Sequence, residues 1–265
     1  YYAMELLEGE DLSSLLKRGP VDPMRAADLI AQASRALAEA HKRGIVHRDI
    51  KPANLFLCTL GGDADFIKVL DFGLAKLAER ANQSQLTQAG MAVGTPSWVS
   101  PEVVMGRPAD ARADVYALGA VLYALVTGGP PFAGEDMRAI LMAHLRQTPT
   151  RPSERLGRQL PAALETIIMR ALDKEPADRY ADAAALGEAL AAFLRDPQSA
   201  ARQKPRHHRR LRTPSKNDVH SHTTRPPERR QAYQPMGEVH APTYIGEADW
   251  DDYLKTRDED SRAEA

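Results

Sequence analysis

His47-Arg48-Asp49-Ile50-Lys51-Pro52-Ala53-Asn54 is the stretch whose reading decides this chain. It sets a carboxylate at 49, a cation two positions later at Lys51, and an amide oxygen five positions after the carboxylate at Asn54. A second carboxylate follows in Asp71-Phe72-Gly73, behind the strand-like run Ile67-Lys68-Val69-Leu70. Phosphoryl transfer calls for this set: a base to orient a hydroxyl, a positive charge on the moving phosphoryl group, and hard oxygen ligands for a metal ion. Any one of these residues alone would read as a surface charge or a cap. Their joint spacing is what carries the signal.

The two segments match the H-R-D-x-x-x-x-N and D-F-G patterns in order and spacing. The sequence therefore resembles a protein Ser/Thr kinase of the bacterial, eukaryotic-like branch. More narrowly, it resembles the C-terminal lobe of that catalytic domain followed by a tail. The implied fold class is mainly α, a helical lobe with short β-hairpins at the catalytic cleft, with a disordered tail behind it. The implied cofactors are ATP and Mg2+. By position, Asp49 would accept or orient the substrate hydroxyl proton, and Lys51 would neutralise the transferred phosphoryl. Asn54 and Asp71 would hold magnesium. His47 would pack structurally against Phe72 rather than act as a base, with Gly73 completing the motif. Arg48 is of the kind that pairs a phosphate in the activation segment, since a guanidinium grips phosphate bidentately.

Working outward, Tyr1 to Leu12 reads as a strand running into a short polar turn and then a helix. The resemblance makes residues 1–12 the last strand of the N-lobe and the hinge, with 13–196 the C-lobe. Met4 would be the gatekeeper, the Glu5 carbonyl and Leu7 N–H would hold an adenine edge, Asp11 would lie near the ribose, and Phe56 would lie beneath the adenine ring. A short helix over 12–17 ends at Gly19-Pro20. Asp22-Pro23 then supplies an N-cap and a first-turn proline. The helix that follows carries Leu29, Ile30, Ala33, Leu37 and Ala40 on one face and closes with His41-Lys42-Arg43-Gly44. Between Asn54 and Asp71, residues 59–65 read as a hairpin turn with extra residues.

From Asp71 to Glu102 runs an activation segment, polar in its middle, with Thr87 the first and Ser84 the second choice for a regulatory phosphosite. Gly94-Thr95-Pro96-Ser97-Trp98-Val99-Ser100-Pro101-Glu102 resembles the stretch ending in A-P-E, with Ser100 in place of Ala. Thr95 would bond toward Asp49 and Lys51, and the residues after it would cradle a protein substrate. Lys51 and Thr95 together favour Ser/Thr specificity by resemblance. A helix opening at Asp114 is apolar nearly all round to Val126 and belongs mid-domain. Asp114 would cap it and tie back to the catalytic loop, and Glu102 would pair with Arg179. Helices then read over 135–146, 162–173 and 181–194.

Bulk numbers exclude several classes. Lys plus Arg at 35 against Asp plus Glu at 36 gives a formal charge of -1, so global charge names no partner. The lone Cys58 lies in the apolar run 55–58, reads as a buried small hydrophobe, and fits a reducing compartment. No run approaches a membrane span and there is no signal peptide. The expected localisation is cytoplasmic, or the cytoplasmic part of a longer protein.

Beyond Asp196-Pro197 the composition changes. Residues 202–230 are strongly basic and almost without apolar residues, and 247–265 reverse the sign to acidic, so 197–265 is expected to be a disordered linker or tail. Without interleaved aromatics the basic run reads as a solvated linker, with at most weak contact to an anionic surface and no specific nucleic acid. The expected partners are proteins bearing Ser or Thr.

The chain opens at Tyr1 in what reads as mid-strand, which suggests a fragment. The glycine-rich loop, strand lysine and helix glutamate that the family places before the hinge are not in this sequence. As given, the chain is expected to bind ATP weakly and turn over little. The leading function is protein serine/threonine kinase, regulated by activation-segment phosphorylation. The alternative is a non-catalytic kinase-like docking module. A small-molecule phosphotransferase is disfavoured by Lys51, Thr95 and the Pro101-Glu102 segment.

Overall fold

The computed structural model describes residues 6–60, 63–72, 96–134 and 136–198. Within them the chain is mostly helical, with one small sheet of three antiparallel strands in the order β1-β2-β3. The strands are β1 (Gly9–Asp11), β2 (Leu55–Leu60) and β3 (Asp63–Val69). The helices are α1 (Leu12–Leu16), α2 (Pro23–His41), α3 (Pro101–Val104), α4 (Ala111–Thr127), α5 (Met137–Arg146), α6 (Pro152–Leu156), α7 (Ala162–Ala171) and α8 (Ala183–Arg195).

Helix α4 is the axis of the lobe. Every residue from Ala113 to Val126 is buried, so its apolar circumference must be covered on all sides. Helices α2, α6, α7 and α8 supply that cover. Gly119 lets α7 come close: a Cβ there would stand 2.6 Å from the Cβ of Ala171. Helix α2 lays its Leu29, Ile30, Ala33 and Leu37 stripe into the same core, fully buried. Its start follows from Asp22, whose carboxylate accepts from the N–H groups of Met24 and Arg25 ahead of Pro23.

The sheet lies along α2. Arg25 reaches Asp65 through two 2.7 Å hydrogen bonds. Gln32 treats β3 as a neighbouring strand would: its Nε2 donates to the Asp65 carbonyl at 2.9 Å and its Oε1 accepts from Ile67 N at 3.0 Å. β1 pairs with β2 in the register Gly9↔Cys58 and Asp11↔Phe56. Gly9, at φ 146, permits this, because a Cβ there would lie 2.0 Å from the Leu57 carbonyl oxygen.

Several boundaries differ from the sequence reading. Residues 9–11, expected as a polar turn, form a strand, since Gly9 allows the close pairing and Leu12 anchors the next helix in the core. Past Asn54, the paired strands reach further into the expected turn of 59–65: β2 and β3 continue until Leu60 pairs with Asp63, with an irregularity between Cys58 and Leu60. Helix α4 begins at Ala111, one turn before Asp114. Its cap is Asp110, which accepts from Arg112 N, so Asp114 is not the cap and sits inside the helix. Helices α5 and α8 start two residues later than expected, at Asp136 and Asp182 caps, and α7 stops two residues earlier. The short helices α3 and α6, each opening on proline, were not anticipated. Of the expected tail, residues 199–265 lie outside the described residues.

Candidate active site

The loop between α2 and β2 is built on one buried carboxylate. Asp114, on the first turn of α4, is 1% exposed at its side chain. Its Oδ2 accepts from His47 N at 2.8 Å and its Oδ1 from Arg48 N at 2.8 Å. A third donor is His41, whose Nε2 lies 2.9 Å from Oδ2, while its Nδ1 accepts from Ala183 N at 3.3 Å. Sequence reading took His41 for a cation closing α2. It does lie in that last turn, and it is also a link between α8 and the loop. The missed signal is its spacing, four residues after Leu37 on the apolar stripe of α2.

That anchorage holds Arg48 at φ 65, a left-handed conformation that a non-glycine residue adopts at a cost of about 1–3 kcal/mol. The loop then turns so that its polar groups meet. Lys51 Nζ donates to Asp49 Oδ2 at 2.8 Å, and both side chains are a quarter exposed. Asn54 Nδ2 donates to the Asp49 carbonyl at 2.8 Å and to Asp49 Oδ2 at 3.2 Å. The amide NH2 is thereby committed, and Oδ1 is the atom Asn54 retains for a ligand.

Two contacts bring the second motif to the first. Leu70 N donates to the Asn54 carbonyl at 2.9 Å, and His47 Nε2–H donates to the Leu70 carbonyl at 2.8 Å. Asp71 follows directly, exposed and at φ 54, a second non-glycine residue in the left-handed region. Phe72 packs on His47 with ring centroids 4.9 Å apart. His47 Nδ1 accepts from Asp49 N at 3.3 Å, so both imidazole nitrogens are engaged and neither is open to a substrate proton.

The donor set fits a divalent cation shared with phosphate. Asn54 Oδ1 and the Asp71 carboxylate are hard oxygen ligands, and magnesium takes one or two such protein ligands beside phosphates and waters. Among the described residues no cluster of three His, Cys, Asp or Glu could hold a metal ion unaided. Leu7 and Phe56 are half-buried near the sheet, with Phe56 set between Asp11 and Lys68 in the strand register. Asp11 caps α1, its Oδ1 accepting from Ser14 N at 2.9 Å. Met4, Glu5, Gly73, Ser84, Thr87 and Thr95 lie outside the described residues.

Also beside the start of α4, Glu102 and Arg179 form a two-pronged ion pair at 2.8 Å on each prong, 7% and 0% exposed. Burial alone would raise the Glu102 carboxyl, but the hydrogen bonds and charge of Arg179 hold it below its ordinary value. Arg179 also donates to the carbonyls of Asp173, Arg112 and Lys174 and lies over the Tyr116 ring.

No helix among the described residues is long and apolar enough to cross a membrane. A probable serine/threonine-protein kinase of Corynebacterium efficiens is 41% identical over 205 residues, which covers 76% of this chain and 30% of that protein. Serine/threonine-protein kinase Pkn1 of Myxococcus xanthus is 46% identical over 206 residues, 78% of this chain and 29% of that protein. The chain thus spans about three tenths of the length of these relatives. Among solved structures, the kinase domain of PknI from Mycobacterium tuberculosis superposes with a TM-score of 0.53 at 25% identity, covering 72% of this chain and 64% of that one. The family description "Protein kinase domain" matches residues 1–190, and with the loop geometry above this chain belongs to the protein kinase family.

Proposed function

We propose that this chain forms the substrate-side lobe of a serine/threonine protein kinase, which moves the γ-phosphoryl group of ATP to Ser and Thr hydroxyls of proteins. The observation that carries the reading is the joined cluster of Asp49, Lys51 and Asn54, laced to Asp71 through Leu70. In it Asp49 takes up or orients the hydroxyl proton, and Lys51, held 2.8 Å from that carboxylate, brings a positive charge to the transferring group. Asn54 and Asp71 would hold Mg2+, which would supply neutralisation of charge on the phosphates. Asp11, Leu7, Phe56, Met4 and Glu5 belong to the nucleotide side of the cleft. Thr95 and the residues after it receive the protein substrate.

In the same proposal, residues 1–12 lead in from the other lobe, 13–196 form this lobe, and 197–265 form a solvated tail. The setting is cytoplasmic. Arg48 pairs with a phosphate on Thr87, or on Ser84, when the activation segment is modified. The competing reading, a docking module without turnover, makes the opposite prediction in one assay. The full-length protein with ATP and Mg2+ should phosphorylate a generic basic protein and acquire phosphate within residues 71–102. Asp49→Asn should abolish both while leaving the circular dichroism spectrum unchanged, and undiminished transfer by that variant would reject Asp49 as the base.

A further inference from the structure

A second polar cluster takes no part in the chemistry above. Helix α5 fully buries only Ala143 and His144, with Ile140, Leu141, Met142 and Leu145 half-buried beside them. His144 is fully buried. Its Nδ1 shares a 2.8 Å hydrogen bond with the Tyr116 hydroxyl of α4, and its ring meets Phe132 edge-on at 4.9 Å. Its Nε2 has no hydrogen-bond partner among the described residues, and the Ser97 backbone lies close to the ring.

Lys174, in the turn after α7, sits over this group. Its Nζ donates to the His144 carbonyl at 2.7 Å and more weakly to the Ala143 carbonyl at 3.4 Å, and stands 4.4 Å from the Phe132 ring centre. The Ala143 carbonyl already accepts from Gln147 N at 2.9 Å, so the His144 carbonyl is the one in the last turn that Lys174 chiefly serves, and a cation there complements the negative end of the helix. The backbone of the same residue faces the other way: the Lys174 carbonyl accepts from Arg179 Nη2, the prong that also holds Glu102.

We propose that Lys174 is a positioning residue for the protein-substrate surface: its ammonium clamps the C-terminal end of α5, and through α5 the Pro96–Trp98 turn packed on it, in fixed relation to the Glu102–Arg179 pair. The inference rests on the kinase reading, in which that turn and the residues after it receive the protein substrate. The groups facing Lys174 are His144 of α5, Tyr116 of α4, and Arg179 with Asp173 from its own turn. Burial, and then the Arg179 charge, lowers Lys174 to about 8, and burial followed by the Lys174 charge lowers His144 to about 3. The imidazole therefore stays neutral beside the ammonium, and the clamp consists of one cation on two carbonyls.

Lys174→Met keeps the stem and removes the donor. In the full-length protein it should raise KM for a protein substrate about tenfold while KM for ATP and kcat stay within about twofold. Amide exchange over residues 137–147 should accelerate about tenfold, with α4 unchanged. Lys174→Gln, which keeps a donor, should fall between and serves if the Met variant does not fold. An active wild type whose variants keep their protein-substrate KM, or unchanged exchange over 137–147, overturns the inference. A wild type that phosphorylates no protein overturns the kinase reading instead, and the exchange result still decides whether Lys174 holds α5.

Discussion

The two corners of the lobe that meet the first turn of α4 are held by opposite chemistry. At the catalytic-loop corner a single buried acceptor, Asp114, gathers the N–H groups of His47 and Arg48 and the ring of His41. At the other corner a single buried donor, Arg179, gathers Glu102 and the carbonyls of Arg112, Asp173 and Lys174. The compact carboxylate draws adjacent donors of one short loop together, whereas a guanidinium has five donors in a rigid, wide fork and can join three separate segments. The first corner should govern geometry at the reacting groups, and the second cohesion of the whole lobe.

Substitutions at each corner can break that contrast. Arg179→Ala leaves Glu102 buried without its cation and removes a donor from each of three carbonyls. It should lower unfolding stability by about 3–5 kcal/mol, read as a fall in the urea midpoint. A change of less than about 1 kcal/mol would mean the corner is not what holds the lobe. Asp114→Asn keeps shape but turns an NH2 toward backbone N–H groups. The expected stability loss is smaller, about 2–3 kcal/mol, yet phosphate transfer by the full-length protein should fall about 10²-fold as the loop shifts.

The smallest effect sharpens the comparison through pH. His144 is neutral in the fold down to about 3, while in the unfolded chain it protonates near its ordinary value of 6.5. Below 6.5 the unfolded state binds the extra proton, so stability falls as pH falls, by up to about 1.4 kcal/mol per unit and roughly 2 kcal/mol by pH 5. Glu102 and Glu165, both held low, add losses only as pH drops below about 4.5. His144→Gln should therefore flatten thermal midpoints between pH 6.5 and 5. An unchanged slope would mean His144 is not the group responsible.

What was legible in the sequence depends on how far apart the partners lie. Asp49, Lys51 and Asn54 sit within one loop, so their spacing alone predicted a cluster, and the hydrogen bonds among them lie there. The Glu102–Arg179 pair and the tie from Asp114 to the loop came from family resemblance, and both contacts are present. The misassigned cap came from two aspartates four residues apart, either of which could start α4. Burial separates them, and burial is a tertiary property. His41 and Lys174 escaped for a related reason. One binds a carboxylate 73 positions away and the other binds backbone carbonyls, which have no residue signature at all. Gly9 reads as an ordinary turn glycine until Leu57 is seen to occupy the space a side chain would need.

The side-chain amide of Gln32 has a consequence outside catalysis. An outer strand with open N–H and C=O groups is a template for intermolecular pairing. By answering Ile67 N and the Asp65 carbonyl, Gln32 closes that template from within the same molecule. Strand addition along this edge would first require prying α2 away, so one glutamine closes the β3 side of the sheet.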